Sequence, residues 1–474
     1  MDGRGPGLDL HLDVTQGSGV GRALEEALRA AVRSGRLAPG TRLPGSRTLA
    51  SDLGIARGTV VQVYAQLTAE GWLSGTPGSG TRVAGVGAVE AGPDTEPSAR
   101  RRTGAHVDLR PGRPDLSSFP RTAWASAVRR ALTSAAPTAW DYAEPAGLPV
   151  LRDAIAGYAA RTRGVRTDPG AVVITAGFTH ALAVLGRALR SIGVRCAATE
   201  DPGLPRHRDL LRAAGLSVVP LRVDGDGADP AGLPERAGTV LLTPAHQYPC
   251  GVVLAPSRRA AFAAWARRRD GFVIEDDYDG EFRYDRQPVG AMQALAPDRV
   301  VFAGSASKSL APGMRLGWLA VPPALLDPVL AAMRDLGAAV PAVDQLAFAD
   351  LLERGDYDRH VRRARLVHRR RRAELADRLA RPLGGVAAGL HALLPAGSAG
   401  EERALVETGL YAGLRLHGLH TDGYWHEASP ERRAALVIGF ATPPPHAWHG
   451  ALEALAGVVD AVTGQAQNPD RHDA

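Results

Sequence analysis

Between residues 20 and 70 the apolar positions recur every three or four residues, the repeat of helices with one buried face. Val20, Leu24, Leu28, Ala31 and Val32 keep that spacing through "VGRALEEALRAAVRSG" and predict a first helix ending at Gly35. "LAPGTRLPGSRTLASDLG" then makes a turn and a short helix with Leu49 and Leu53 at i, i+4, stopped at Gly54. A third helix, about Arg57 to Glu70, puts Val60, Tyr64 and Leu67 on one face and leaves Arg57, Thr59 and Gln62 on others. "GWLSGTPGSGTRV" carries two short extended pieces around a Pro-Gly-Ser-Gly turn, a hairpin signal. Three helices and a hairpin predict a winged helix-turn-helix over residues 10–83.

Residues 84–106 lose the periodicity and fill with Gly, Ala, Pro and polar residues, which reads as a linker. From 107 to 464 the pattern changes again. Short continuous apolar runs, "VVITAG" (172–177), the stretch 239–243, Phe272 to Ile274, and "RVVFAGS" (299–305), alternate with helical stretches such as "FTHALAVLGRALRS" and "RRAAFAAWARRR". Apolar runs that end in polar residues and alternate with helices predict an α/β domain with a mostly parallel, covered central sheet. Ligands of such sheets sit beyond the carboxyl ends of the strands. Gly177, Asp276 and Lys308 each fall at one of those ends, which predicts a shared cleft.

A chain of 474 residues with 45% hydrophobic and 22% charged residues is long enough for two or more globular domains. The start has no basic segment followed by an apolar stretch, and no window approaches 18 uninterrupted apolar residues, so the expected location is cytoplasmic, without a membrane. Two cysteines, Cys196 and Cys250, offer neither a disulfide framework nor metal-ligand spacing. The net charge of +6 permits an anionic partner without requiring one.

Of the 56 lysines and arginines, one is lysine. A guanidinium serves as well as an ammonium in an ion pair or a phosphate clamp, but it cannot lose its proton and act as a nucleophilic amine. Lys308, in "GSASKSLAPGMRLGW", is therefore the chemical suspect. A lysine that forms an aldimine, a carboxylate facing a ring nitrogen, and hydroxyls with an arginine around a phosphate are what pyridoxal phosphate requires. The strand, small-residue turn and helix start around Gly177 would offer backbone N–H groups to a phosphate.

The first region, "GTRLPGSRTLASDLGIARGTVVQVYAQLTAEGWL...GSGTRV", resembles the DNA-binding domain of GntR-type bacterial regulators. That resemblance implies contacts to double-stranded operator DNA from Arg42, Arg47, Arg57 and Thr59, with Gly80 and Arg82 in the wing. Guanidinium forks read guanine edges, and phosphate contacts set the register. Residues 1–84 hold nine arginines against seven acids, so a homodimer with paired heads is expected to supply the missing phosphate contacts. The S-x-S-K segment with Arg315 resembles aminotransferases of the aspartate-aminotransferase fold. Together with "DLRPGRPDLSSFP", "YAEPAGLPVLRDAI", "TPAHQYPCG" and "EDDYDGEFRY", it resembles the MocR family, which fuses a GntR-type head to an aminotransferase-like (fold type I) domain.

The resemblance, spanning about residues 12 to 460, implies pyridoxal 5'-phosphate held as an aldimine on Lys308. Asp276 would pair with the pyridine nitrogen and Tyr278 with the phenolic oxygen. Ser305, Ser307 and Arg315 would hold the phosphate, joined by Gly177, Phe178 and Thr179. It further implies a regulator that senses the cofactor or an amine or amino-acid effector; the alternative is an active aminotransferase with an accessory DNA-binding domain. Two departures bear on that choice. Aminotransferases of this fold place a carboxylate-binding arginine before the last apolar strand, where "ALVIGFA" has Val437, and Leu204 stands where many relatives have tyrosine. Either Arg432 or Arg433 serves instead, or the ligand is not an ordinary α-amino acid. The basic run 359–375 reads as a solvated or interdomain helix with Val361, Leu366 and Leu375 facing inward.

Overall fold

The computed structural model describes residues 19–76, 80–84, 107–142, 144–284, 289–337, 339–427, 429 and 432–466. The chain divides into two compact units at Arg101/Arg102. Apart from Ala84, the expected linker lies outside the described residues.

In the smaller unit α1 (Val20–Arg33), α2 (Ser46–Leu53) and α3 (Arg57–Ala69) precede β1 (Leu73–Thr76) and β2 (Gly80–Val83), which pair antiparallel. Leu24 and Leu28 of α1, Leu49 of α2, and Val60, Tyr64 and Leu67 of α3 are buried in one core with Leu73 and Val83 of the hairpin. Gly54 closes α2 in the left-handed region (φ 63°), a conformation that glycine adopts without a Cβ clash. The Tyr64 hydroxyl donates to the Pro44 carbonyl at 3.0 Å, tying the Leu43-Pro44 segment to α3.

The larger unit opens with β3 (Val107–Asp108) and contains an eight-stranded sheet. Its strands are β4 (Val172–Thr175), β5 (Cys196–Asp201), β6 (Ser217–Asp224), β7 (Gly227–Ala228), β8 (Thr239–Leu242), β9 (Phe272–Asp277), β10 (Val300–Ser305) and β11 (Gly317–Ala320). They lie side by side in the order β4-β11-β10-β9-β8-β5-β6-β7. The inner ladders β10/β9, β9/β8, β8/β5 and β5/β6 are parallel, whereas β11 runs antiparallel to both its neighbours. Every residue of β4, β5, β8, β9, β10 and β11 is buried, which is why the sequence shows continuous apolar runs instead of alternation.

Both faces of the sheet are covered. The helices Phe178–Ser191 and Pro323–Leu336 pack Leu182, Leu185, Leu189, Leu325 and Val329 on one side. Phe262, Ala266 and Met292 pack against Val240, Val273 and Val300 on the other. A third core gathers the helices Pro149–Arg163, Ala342–Glu353, Asp356–Leu379 and Pro445–Ala466. It also includes residues of β12 (Ala392–Ala396), β13 (Leu414–Arg415) and β14 (Ala434–Ile438); β12 pairs with β14, and β13 runs parallel to β3.

The basic run lies on the helix Asp356–Leu379, and one expectation for it is corrected. Val361 and Leu375 are buried, but Leu366 is 57% exposed. The inward stripe is Val361, His368, Arg371, Leu375 and Leu379, spaced by seven, three, four and four residues, and position 366 falls off that stripe. Arg371 is buried because its guanidinium donates to the carbonyls of Phe440, Ala441 and Pro443 and lies 5.2 Å from the Trp448 ring centre.

Candidate cofactor pocket and nucleic-acid face

β9 runs into the acids Glu275, Asp276 and Asp277, and strand alternation separates their roles. Glu275 accepts the N–H groups of Met292 and Gln293, each at 2.8 Å. Asp277 accepts a fork from Arg163 at 2.6 and 2.8 Å. Asp276 alone of the three lines a cavity of about 280 Å³ at the carboxyl ends of the strands. Lys308, just past β10, lines the same cavity, and a Cβ on Gly112 would lie 3.5 Å from its Nζ. Burial pushes the Lys308 pKa down against the pull of Asp276 and Asp279, which favours the neutral, nucleophilic amine. Burial also raises Asp276, opposed by Lys308.

One part of the cavity gathers two hydroxyls and a guanidinium, groups suited to an anion. Ser305 Oγ donates to Ser307 Oγ at 2.8 Å and accepts the Ser307 N–H at 3.1 Å. Arg315 sits in the left-handed region (φ 49°), an uncommon backbone for a residue other than glycine. Gly177, at φ 80°, closes this part at the start of the helix Phe178–Ser191; a Cβ there would lie 3.7 Å from both the Arg315 guanidinium and Ser307 Oγ. Phe178 and Thr179 open that helix, in the turn whose N–H groups have no partner within the helix. Phe178, Thr179, Ser305, Ser307 and Arg315 all line the cavity.

Tyr278 also lines the cavity, and its hydroxyl donates to the His246 carbonyl at 3.0 Å. The His246 ring is held in turn by Asp279, Nδ1 to Oδ2 at 2.8 Å. Tyr248 reaches in beside it, its hydroxyl 2.8 Å from that of Tyr424. His207 lies against Phe178 with ring centres 4.9 Å apart, and burial, with Lys308 and Arg208 nearby, pushes its pKa down to about 3, so the imidazole is neutral.

The cofactor carried by enzymes of this fold is pyridoxal phosphate, and the donor set fits it. A buried primary amine, one buried carboxylate, a tyrosine and an anion cradle built of two hydroxyls, a guanidinium and a helix start surround one cavity. Residues that sequence reasoning had not singled out also line it: Thr199, Glu200, His207, Arg208, Thr243 and Tyr248. Thr243 and Tyr248 lie in the noticed motif "TPAHQYPCG", but nothing in one sequence separates a lining residue from a packing one there.

The arginine expected near the last strand is not in the cavity. Arg432 donates to the carbonyls of His426 and Glu427, and both Arg432 and Arg433 are exposed. Val437 is buried in β14 within an apolar cluster of Leu419, Tyr424 and Ala435, packed by Leu204, Tyr248 and Trp425.

In the smaller unit Arg47 and Arg57 are exposed on α2 and the first turn of α3, with Thr59 half-buried beside them. Arg42 pairs through its backbone with Arg82 of the wing, and a Cβ on Gly80 would lie 3.0 Å from the Arg42 guanidinium. Arg82 donates to the Gly40 carbonyl at 2.9 Å. Among the described residues no ion pair engages Arg42, Arg47 or Arg57, so three guanidiniums are left for an anionic partner on one small unit.

Comparison with known proteins agrees with both halves. The family "Aminotransferase class I and II" matches residues 107–406, and "Bacterial regulatory proteins, gntR family" matches residues 21–83. The chain is 34% identical over 449 residues to the "HTH-type pyridoxine biosynthesis transcriptional regulator PdxR" of Corynebacterium glutamicum, covering 91% of this chain and 94% of that protein. It is also 34% identical over 372 residues to the "Probable rhizopine catabolism regulatory protein MocR" of Rhizobium meliloti, covering 74% and 75%. Among solved structures, an archaeal alanine:glyoxylate aminotransferase superposes with a TM-score of 0.67 at 24% identity, over 75% of this chain and 91% of that one, which shows the shared fold. With a GntR helix-turn-helix in front of an aminotransferase class I and II domain, and with full-length similarity to such regulators, the chain belongs to the MocR-type regulators of the GntR superfamily.

Proposed function

We propose that this protein is a DNA-binding transcriptional regulator whose aminotransferase-like domain holds pyridoxal phosphate through Lys308 and responds to the cofactor or to an amine or amino-acid effector. The observation that carries the reading is the meeting of Lys308, Asp276 and Arg315 at one buried cavity in a chain that also carries a GntR-type head. Bound there, the cofactor would supply an aldehyde carbon for amine capture and an electron-withdrawing ring.

The protein's own residues have distinct parts in this. Lys308 contributes an amine whose pKa burial lowers, which favours its neutral form. Asp276 would pair with a ring nitrogen and keep it protonated, and Tyr278 would stand beside a ring oxygen. Ser305, Ser307, Arg315 and the helix start at Gly177, Phe178 and Thr179 bind the phosphate dianion. In the head, Arg42, Arg47, Arg57 and Thr59, with Gly80 and Arg82 in the wing, contact the operator. The division into a head at 10–83, a linker at 84–106 and an effector domain at 107–464, a homodimeric assembly and a cytoplasmic location belong to the same proposal. For a ligand to alter DNA binding it must favour one arrangement of the effector domain over another.

The test combines three measurements on the full chain: trapping with borohydride followed by peptide mass mapping, footprinting on adjacent intergenic DNA with and without pyridoxal phosphate, and amino-group transfer assays. A mass adduct at Lys308 together with cofactor-dependent protection is expected. Rapid multiple-turnover transfer with no DNA protection would overturn the reading in favour of an enzyme.

A further inference from the structure

The polar groups around the cavity are already committed in a way that restricts what can join Lys308. Among the described residues two arginines line it, Arg208 and Arg315. Arg315 stands at the anion cradle with Ser307 and Gly177. Arg208 is saturated: one terminal nitrogen donates to the carbonyls of Gly203 and Tyr424 at 2.9 and 2.8 Å, the other to those of Gly423 and Trp425 at 2.7 and 3.3 Å. It staples the loop around Gly423 to the helix Pro205–Ala213 and has no fork to spare.

Away from the cradle the surroundings are apolar or neutral. Leu204 and Tyr248, both lining the cavity, belong to the apolar cluster around Val437 and Tyr424. His207 is neutral, and the Tyr248 and Tyr424 hydroxyls share a hydrogen bond at 2.8 Å. The charge of Arg110 is felt at the Tyr248 and Tyr424 hydroxyls, but its side chain does not line the cavity; it is half-exposed, 3.5 Å from Asp108. Glu200, also in the lining, is an acid, which burial raises to about 7 against the two hydrogen bonds that the Thr243 N–H and hydroxyl donate to it.

From this we infer that the effector captured at Lys308 is a primary amine with an apolar body and no carboxylate on the carbon that bears the nitrogen, rather than an α-amino acid. The inference rests on the proposed function, since it presupposes the cofactor at Lys308. A carboxylate next to the reacting nitrogen would be desolvated against Leu204 and Tyr248, behind which Val437 packs, with no uncommitted guanidinium among the described lining residues to receive it, and an unpaired buried charge is far costlier than a buried methylene. An amine carrying hydrogen in place of that carboxylate meets the same surfaces without the penalty. In the exchange, the incoming nitrogen bonds to the cofactor's carbonyl carbon as the bond from Lys308 breaks. Both protons of the incoming amine end on the Lys308 nitrogen, with no net oxidation or reduction.

The experiment uses the full chain loaded with pyridoxal phosphate and a matched pair of ligands, phenethylamine and L-phenylalanine, which differ by the carboxylate alone. Each is titrated while the visible absorbance and the release of Lys308 from borohydride trapping are followed. Phenethylamine is expected to reach half-effect at a concentration at least tenfold below that of L-phenylalanine. A Val437→Arg variant that still loads the cofactor is expected to narrow the gap by improving the amino acid. Equal or better binding of L-phenylalanine by the unaltered protein, or no response to either ligand in a protein that carries the Lys308 adduct, overturns the inference and leaves the proposed function standing. Absence of any adduct at Lys308 overturns the proposed function, and this inference with it.

Discussion

Arg163 and Asp277 form a buried two-pronged ion pair, 2.6 and 2.8 Å, on the side of β9 opposite to Asp276. Both side chains are about 5% exposed or less. The pair holds the strand end so that the neighbouring carboxylate turns into the cavity. Removing one partner leaves a buried charge alone, so Arg163→Met is expected to destabilise the larger unit by about 3–5 kcal/mol. The double variant Arg163→Met with Asp277→Leu is expected to recover most of the loss, read as the urea midpoint of unfolding. Equal midpoints for wild type and Arg163→Met would refute the coupling.

Lys308→Arg keeps the charge and much of the length but removes the amine. With pyridoxal phosphate the wild type is expected to turn yellow and to carry a borohydride-stable mass adduct at position 308, and the variant to do neither.

Arg315 is expected to act on the phosphate alone. Arg315→Gln should weaken binding of pyridoxal phosphate by about 10- to 100-fold, the range for a lost hydrogen bond to a charged group. Binding of pyridoxal, which lacks the phosphate, should change by no more than about twofold. Fluorescence or absorbance titrations of the two vitamers compare them directly; similar losses for both would place Arg315 elsewhere than at the phosphate.

His417 lies between Asp108, at 3.0 Å, and Asp422, at 3.1 Å. Burial alone would lower its pKa, but the hydrogen bonds and charges of the two carboxylates outweigh it and raise the imidazole to about 9. Because the folded value lies above the unfolded one, the stabilisation is fully present below about pH 6.5 and is lost as the pH climbs through about 9, on the order of 3 kcal/mol in total. Thermal unfolding of wild type and His417→Gln should therefore converge between pH 6 and pH 10, the wild type losing its advantage. A constant difference across that range would contradict the ion-pair origin.

For the head, Arg47→Ala and Arg57→Ala are each expected to weaken operator binding, by about 1–3 kcal/mol where the guanidinium reads a base edge. A residue that contacts a phosphate should instead lower the salt dependence of binding by about one unit of slope and weaken all sequences alike. Electrophoretic or anisotropy titrations at several salt concentrations separate the two roles, and an unaltered affinity in both variants would remove this face as the contact.

Much of this was legible along the chain, and the reason is local. Helical spacing, Gly54 after Leu53 and the hairpin turn are set by backbone preferences within a few residues, so α1, α2, α3 and the wing follow from their own segments. The buried strands read as apolar runs because both faces are covered. A lysine retained amid arginines points to an amine, since no other property separates the two so sharply. What one dimension cannot hold is direction and neighbourhood. Glu275, Asp276 and Asp277 are three acids in a row until the pleat sends them to different partners. Leu366 looked inward by composition and is outward by phase. Arg208 and Tyr248 enter the cavity, and Arg432 and Arg433 stay out of it, only because strands far apart in the chain end at one edge of the sheet. The types of chemistry available belong to the residues themselves; which of them share a volume, and which are already spent on a backbone carbonyl, is decided by packing at distances of 3 Å that sequence separation does not encode.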